Sequence, residues 1–216
     1  QQNEERRKRK QSQHADDAPK QSSKDAATQP AKKTKKLEAE TATASGWSGP
    51  SGIPFGREQV LGSYSEVPRE VKQQVTDYAG DDCYIDGTPP WPGSRYVINE
   101  YYLLWQVPCF VAAYQGASAF AVTQNPPQGW ANLLSLPNPP GLDGHENYAA
   151  MNAEVLNDQG IIRITEKGRG MGDCGIHQVF RLTDGPGEVL ELELMEYREK
   201  TECDGVANAP ASWPLA

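Results

Sequence analysis

Three charged side chains lie in one glycine-rich stretch, Lys167 to Gly175. Lys167 and Arg169 could donate charge-assisted hydrogen bonds to a carboxylate or phosphate, and the glycines would expose backbone amides beside them. Asp173 offers another possibility, because an ion pair with Arg169 would hold the stretch in place without any ligand. We therefore take Lys167, Arg169 and Asp173 as candidate binding residues, with a purely structural glycine-rich turn as the competing interpretation.

Gly170, Gly172 and Gly175 also match the G-x-G-x-x-G spacing of a dinucleotide-binding turn. Such a turn needs a helix directly after it, whose N-terminus holds the pyrophosphate. The residues that follow, 176–182, have the pattern of a strand, so the match lacks its structural context. We predict no nucleotide or other cofactor.

The chain contains four widely spaced cysteines: Cys83, Cys109, Cys174 and Cys203. They form no C-x-x-C pair, and the same region holds only His145 and His177 besides, so we predict no metal site. Two disulfides are expected. Of the three possible connectivities we favour Cys83 with Cys109 and Cys174 with Cys203, because each pair brackets one local unit of structure. Disulfides favour an oxidising compartment such as the periplasm.

A catalytic interpretation would use Cys174 as a nucleophile and His177, three residues later, as its base. The strand pattern places Phe180 and Leu182 on the face opposite His177. We therefore expect His177 to point to solvent with Arg181, and we predict no catalytic residues.

Two tryptophans, Trp91 and Trp130, lie in proline-rich segments. An aromatic ring in such a position could stack on a sugar. Trp105 instead falls in an apolar run and is expected in the core. Trp91 and Trp130 therefore join the candidate binding residues.

The charge distribution divides the 216-residue chain into two parts. Residues 1–40 carry 11 Lys or Arg against 7 Asp or Glu, whereas the remainder carries 10 against 22. Residues 1–46 are expected to be a disordered, basic, low-complexity tail or linker, because they lack the apolar residues needed to form a core. Residues 47–216 are expected to form a single domain. The first residue is Gln, which we interpret as the product of signal-peptide removal.

One helix is predicted over 68–80, with proline in its first turn and glycine at its end. Val67, Val71, Val75 and Tyr78 form its apolar stripe. The rest of the domain has the pattern of strands and loops. The fold class predicted is α+β, mainly an antiparallel β-sheet with this helix, stabilised by disulfides and preceded by the disordered tail.

About five to seven strands are expected in that sheet. A run rich in β-branched and aromatic residues, 97–107, predicts a central strand buried on both faces. Turn residues at 157–160 and 184–187 predict two hairpins. Five prolines in 124–145 predict a long surface loop, because proline cannot donate to a β-ladder.

The stretch from Lys167 to Gly175 resembles the signature of a bacterial envelope family catalogued as domain of unknown function 1176. Val107-Pro108-Cys109 followed by Ala112-Ala113-Tyr114 is similar to another segment of that family, with Ala112 where glycine is usual. Asn152-Ala153-Glu154 and Glu202-Cys203-Asp204-Gly205 resemble later hallmarks. The resemblance covers 67–216, the C-terminal part of the family, and implies a periplasmic or secreted domain with disulfides and no established activity.

These observations predict an exported domain that acts by binding. The partner could be a cell-wall component or a cationic protein. In one concrete version the chain inhibits a cationic secreted protein such as lysozyme, which the negative charge of the domain would attract. The alternative is an envelope enzyme or ligand-binding protein that uses the Lys167–Asp173 loop. Nucleic acid is not expected as a partner, because the domain is acidic. The chain has no apolar run long enough for a transmembrane segment.

Overall fold

The structure is a computed structural model, and it describes residues 47–80, 83, 89, 91–142, 144 and 147–216. All of these residues belong to one compact unit, Ser45–Ala216. The predicted tail, 1–46, lies outside the described residues, as does His145.

One α-helix and ten strands are present in the described part of the chain. The helix α1 spans Arg69–Tyr78. The strands are β1 Gln59–Val60, β2 Ser94–Val97, β3 Tyr102–Val111, β4 Gly116–Gln124, β5 Ala131–Leu133, β6 Ala150–Met151, β7 Glu154–Leu156, β8 Ile161–Lys167, β9 Gly175–Asp184 and β10 Leu190–Lys200. Short 3-10 turns lie at Tyr64–Glu66, Pro186–Glu188 and Pro210–Ser212. The α+β class with mainly antiparallel pairing is confirmed.

The strands form two antiparallel sheets, whereas the sequence predicted one of about five to seven strands. Six strands form the first sheet, in the order β1-β2-β3-β4-β5 with β6 also paired to β4, and four form the second, in the order β10-β9-β8-β7. The underestimate has a physical reason. Strands β1, β5, β6 and β7 are only two or three residues long, which is too short for an alternating pattern to be recognised.

Helix α1 begins after Pro68 and packs on the first sheet beside β4 and β5. Val71 and Val75 are buried, as the apolar stripe predicted. Tyr78 was predicted on the same stripe but is 62% exposed. The buried stripe continues from Val75 to Ala79, four residues later, and leaves Tyr78 beside it.

Strands β3 and β4 form the middle of the first sheet, and seven consecutive residues of each, 103–109 and 117–123, are buried. The prediction of a central strand buried on both faces is confirmed. Trp105 lies in this core and donates its indole N–H to Thr123 Oγ1 at 2.8 Å. Apolar residues of α1 and of both sheets belong to one continuous core.

The proline-rich segment 124–145 is only partly the surface loop that was predicted. It contains β5, and Leu133, Leu134 and Leu136 are buried in the core. A short apolar stretch between the two groups of prolines therefore adds a strand to the edge of the first sheet, and places Trp130 directly before it.

Candidate functional site

The glycine-rich loop, residues 168–174, joins the antiparallel strands β8 and β9. Its ends are fixed by Lys167 paired with Gly175 and by a hydrogen bond from Gly168 N to Cys174 O at 2.9 Å. Gly175 has a φ of +143°, and a Cβ there would lie 2.0 Å from the carbonyl oxygen of Glu166. Glycine is therefore required at this position for the loop to close.

Within the loop, Arg169 and Asp173 form a two-point ion pair. Arg169 Nε donates to Asp173 Oδ1 at 2.7 Å, and Arg169 Nη2 donates to Asp173 Oδ2. The Asp173 carboxylate is fully buried and also accepts a hydrogen bond from Gly205 N at 2.6 Å. The bond from Arg169, with the one from Gly205, holds the pKa of the Asp173 carboxyl well below its usual range.

The same residues bind the C-terminal segment to the loop. Cys174 is disulfide-bonded to Cys203, and Arg169 Nη2 donates to the carbonyl oxygen of Cys203 at 3.0 Å. We call this group of contacts, made by Arg169, Asp173, Cys174, Cys203 and Gly205, the C-terminal anchor. The charges of Arg169 and Asp173 are thus used within the protein, whereas Lys167 has no ion pair with any residue the structure describes.

Both disulfides expected from the sequence are present, Cys83–Cys109 and Cys174–Cys203, and no cysteine is free. Ligand atoms of Asp173, Cys174 and Cys203 lie within 4.8 Å of one another. Because the two sulfur atoms are joined to each other, they cannot act as thiolate ligands or as a nucleophile in this state.

His177 is 5% exposed, so the prediction that it points to solvent is wrong. The C-terminal residues cause the difference: they pair with β10 beside it and their 3-10 turn lies against β9. Nδ1 of His177 lies 3.0 Å from Thr165 Oγ1. Burial lowers the pKa of His177, while Glu196 opposes the effect and Arg163 and Arg198 add to it.

A groove in two parts, both lined by Gln74, lies where α1 packs beside β5. Its first part has a volume of about 460 Å³ and is lined by Arg69, Glu70, Gln73, Gln74, Trp130 and Ala131, with Gly129. Its second part, of about 400 Å³, shares Gln74 and continues past Tyr78, Asn132, Ser135, Tyr148 and Glu191. We call the two parts together the α1 groove. Each part is within the usual size range of ligand-binding clefts.

The structure separates the predicted binding residues. Trp130 is 38% exposed and lines the α1 groove. Trp91 is half-buried and lines neither part of it. Lys167, Arg169 and Asp173 lie together in the loop between β8 and β9.

Sequence reasoning missed the other groove residues. Gln74, Tyr78 and Asn132 come from two separate elements that meet only through tertiary packing. The sequence placed Tyr78 near the end of the predicted helix. It did not indicate that β5 would lie beside that helix and form a groove with it.

A comparison with protein families matches residues 9–216 to the family described as "Protein of unknown function (DUF1176)". The chain belongs to this family. The match is longer than the resemblance over 67–216 indicated, and it extends into the basic N-terminal region. No curated protein and no solved structure matches the chain. No helix among the described residues is both long and apolar enough to cross a bilayer.

Proposed function

We propose that the chain is an exported domain, periplasmic or secreted, that acts by binding, and that its binding site is the α1 groove. The observation that carries the proposal is the exposed ring of Trp130 beside the polar side chains of α1. Binding sites typically combine a concave surface with aromatic side chains and a few placed polar groups, and this groove offers both kinds of side chain.

Export is supported by the two disulfides, because such bridges form and persist in oxidising compartments. Thiol trapping tests this part. Protein taken from its own cells is treated with an alkylating reagent before and after reduction. Export predicts labelling of the four cysteines only after reduction, and labelling before reduction contradicts it.

Binding is tested by sedimentation of the full chain with isolated bacterial cell envelopes. We expect wild type to sediment with the envelopes and Trp130→Ala to remain in the supernatant. Tyr101→Ala is the matched control, since Tyr101 is 65% exposed and lies in the turn between β2 and β3, outside the groove. Equal sedimentation of Trp130→Ala and wild type would refute the assignment of the groove.

A second candidate uses the loop around Lys167 and Arg169 to bind a ligand or to perform chemistry. It predicts that Arg169→Ala abolishes ligand binding and leaves the melting temperature nearly unchanged. The C-terminal anchor supports the opposite result, because Arg169 contacts both Asp173 and the backbone of Cys203. A lowered melting temperature of Arg169→Ala would give the loop a structural role, whereas an unchanged one together with lost ligand binding would support the second candidate.

The excess of acidic residues outside the tail favours a cationic partner as a third candidate. The concrete version, inhibition of lysozyme, predicts that the full chain slows lysis of bacterial cell walls at low salt and loses the effect as ionic strength rises. An absence of inhibition at low salt excludes lysozyme as the partner.

A further inference from the structure

We propose that the α1 groove takes an uncharged oligosaccharide; this inference rests on the function proposed above and names its ligand class. A pyranose ring presents two kinds of surface at once. Its C–H faces are apolar, and its hydroxyl groups both donate and accept hydrogen bonds. A site for it therefore needs an aromatic face with polar side chains of both kinds close by.

The first part of the groove provides this combination. Trp130 supplies the aromatic surface, and Gln73 and Gln74 of α1 line the same part of the groove. A carboxamide carries two donor hydrogens and an acceptor oxygen, so it can pair with a hydroxyl group whichever way that group is turned. Asn132 adds a third carboxamide in the second part of the groove.

The fold does not use the hydrogen-bonding capacity of these amides fully. Gln73 donates to Asp77 Oδ1 at 2.8 Å, which leaves its own oxygen available. Asn132 donates to the carbonyl oxygen of Leu190 at 3.3 Å, which leaves its side-chain oxygen available as an acceptor. The side-chain amide of Gln74, which lines both parts of the groove, has no hydrogen bond to any residue that the structure describes.

These contacts also hold the polar groups in position. Gln73 and Gln74 lie on a helix whose inner side is fixed by Val71 and Val75 in the core. Asn132 lies in β5, which is paired to the central strand β4. A site built on packed elements loses less conformational entropy on binding than one built on a free loop.

The charges of the groove favour an uncharged ligand. It is lined by one cation, Arg69, and by two carboxylates, Glu70 and Glu191. The remainder of the chain outside the tail has a large excess of acidic residues as well. An anionic polymer would therefore be repelled, whereas hydroxyl groups can accept from Arg69 and donate to either carboxylate.

The test measures binding of the full chain to three uncharged probes, cellotetraose, maltotetraose and chitotetraose, by titration calorimetry and tryptophan fluorescence. We expect at least one to bind. Trp130→Ala is expected to weaken that binding about tenfold or more, as for other aromatic residues at the centre of a site. Trp130→Phe keeps a ring and is expected to retain most of the affinity, and Tyr101→Ala to be unchanged.

The inference is overturned if none of the probes binds at concentrations up to about 10 mM, where even weak affinities are measurable. It is also overturned if a probe binds equally well to wild type, Trp130→Ala and Gln74→Leu, because the site is then elsewhere. Failure of the sugar class alone has a distinct signature: Trp130→Ala still abolishes sedimentation with cell envelopes, while no probe binds or competes. The opposite pattern would refute the proposed function and keep the ligand class: wild type does not sediment with envelopes, yet it binds a probe and Trp130→Ala weakens that binding.

Discussion

Removal of the Cys174–Cys203 disulfide is the change whose effect follows most directly from the structure. The bridge closes a loop of 29 residues, for which the loss of chain entropy in the unfolded state corresponds to about 3.6 kcal/mol at 25 °C. We expect Cys174→Ala with Cys203→Ala to lower the free energy of unfolding by about that amount. The Cys83–Cys109 bridge closes a loop of 26 residues and predicts a nearly equal entropic loss, about 3.5 kcal/mol.

The two bridges should nevertheless differ in which part of the protein their removal loosens. Cys83 and Cys109 are both buried in the core, whereas Cys203 is exposed and belongs to the C-terminal anchor. Without Cys174–Cys203, only non-covalent contacts hold residues 201–216 on the second sheet: those of Arg169 and Asp173 with Cys203 and Gly205, and the pairing of the last residues with β10. Amide hydrogen exchange in that segment should therefore rise under native conditions, while exchange in β3 and β4 should not.

The assay is equilibrium urea unfolding of the full chain, followed by tryptophan fluorescence, together with native-state hydrogen exchange. Wild type treated with a reducing agent, which opens both bridges, serves as the reference for complete loss. An unchanged urea midpoint would refute the entropic argument. A lowered midpoint with no local increase in exchange at 201–216 would refute the anchor, because the segment would then be held by contacts that do not involve the disulfide.

Three further predictions concern single residues. Gly175→Ala places a Cβ against the carbonyl oxygen of Glu166 at positive φ, so thermal melting of this variant should show no cooperative transition. Gly187→Ala is the control and should melt cooperatively, because no atom lies within 4 Å of the added Cβ. Thr123→Val leaves the buried indole N–H of Trp105 unpaired and should cost roughly 1–3 kcal/mol in urea unfolding, most of it regained in Thr123→Ser. Burial lowers the pKa of His177 below its ordinary 6.5, so just below that pH the unfolded state binds more protons than the folded state. The free energy of unfolding should therefore fall as the pH drops below about 6.5. In His177→Gln the urea midpoint should depend less on pH between about pH 5 and about pH 8.

Features encoded by neighbouring residues could be predicted from the sequence. The hairpin at 157–160 follows from its turn residues, and Gly160 has the positive φ expected there. The helix begins after Pro68, as proline at a first turn indicates. The run 97–107 overlaps the central strand β3, whose first six residues it includes, because those residues are mostly apolar on both faces.

Features that depend on distant contacts could not be predicted in the same way. His177 has the strand periodicity of an outward-facing residue, but residues 210–216 return to cover that side of β9 and β10. The α1 groove combines a helix with a three-residue strand that no periodic pattern reveals. Trp130 could be selected as a candidate from its proline-rich setting, but its neighbours on α1 could not.

The charged side chains of the loop bind each other within the protein, and for this reason the α1 groove is the better candidate site. A fully buried carboxylate such as Asp173 is stable only if its charge is compensated by nearby donors. Arg169 and the backbone N–H of Gly205 supply those donors. Arg169 cannot turn toward an external anion without leaving Asp173 undercompensated, so binding there would oppose folding. Gln74 carries no such constraint, because its amide has no partner among the described residues, and an external ligand could use it at no cost to the fold.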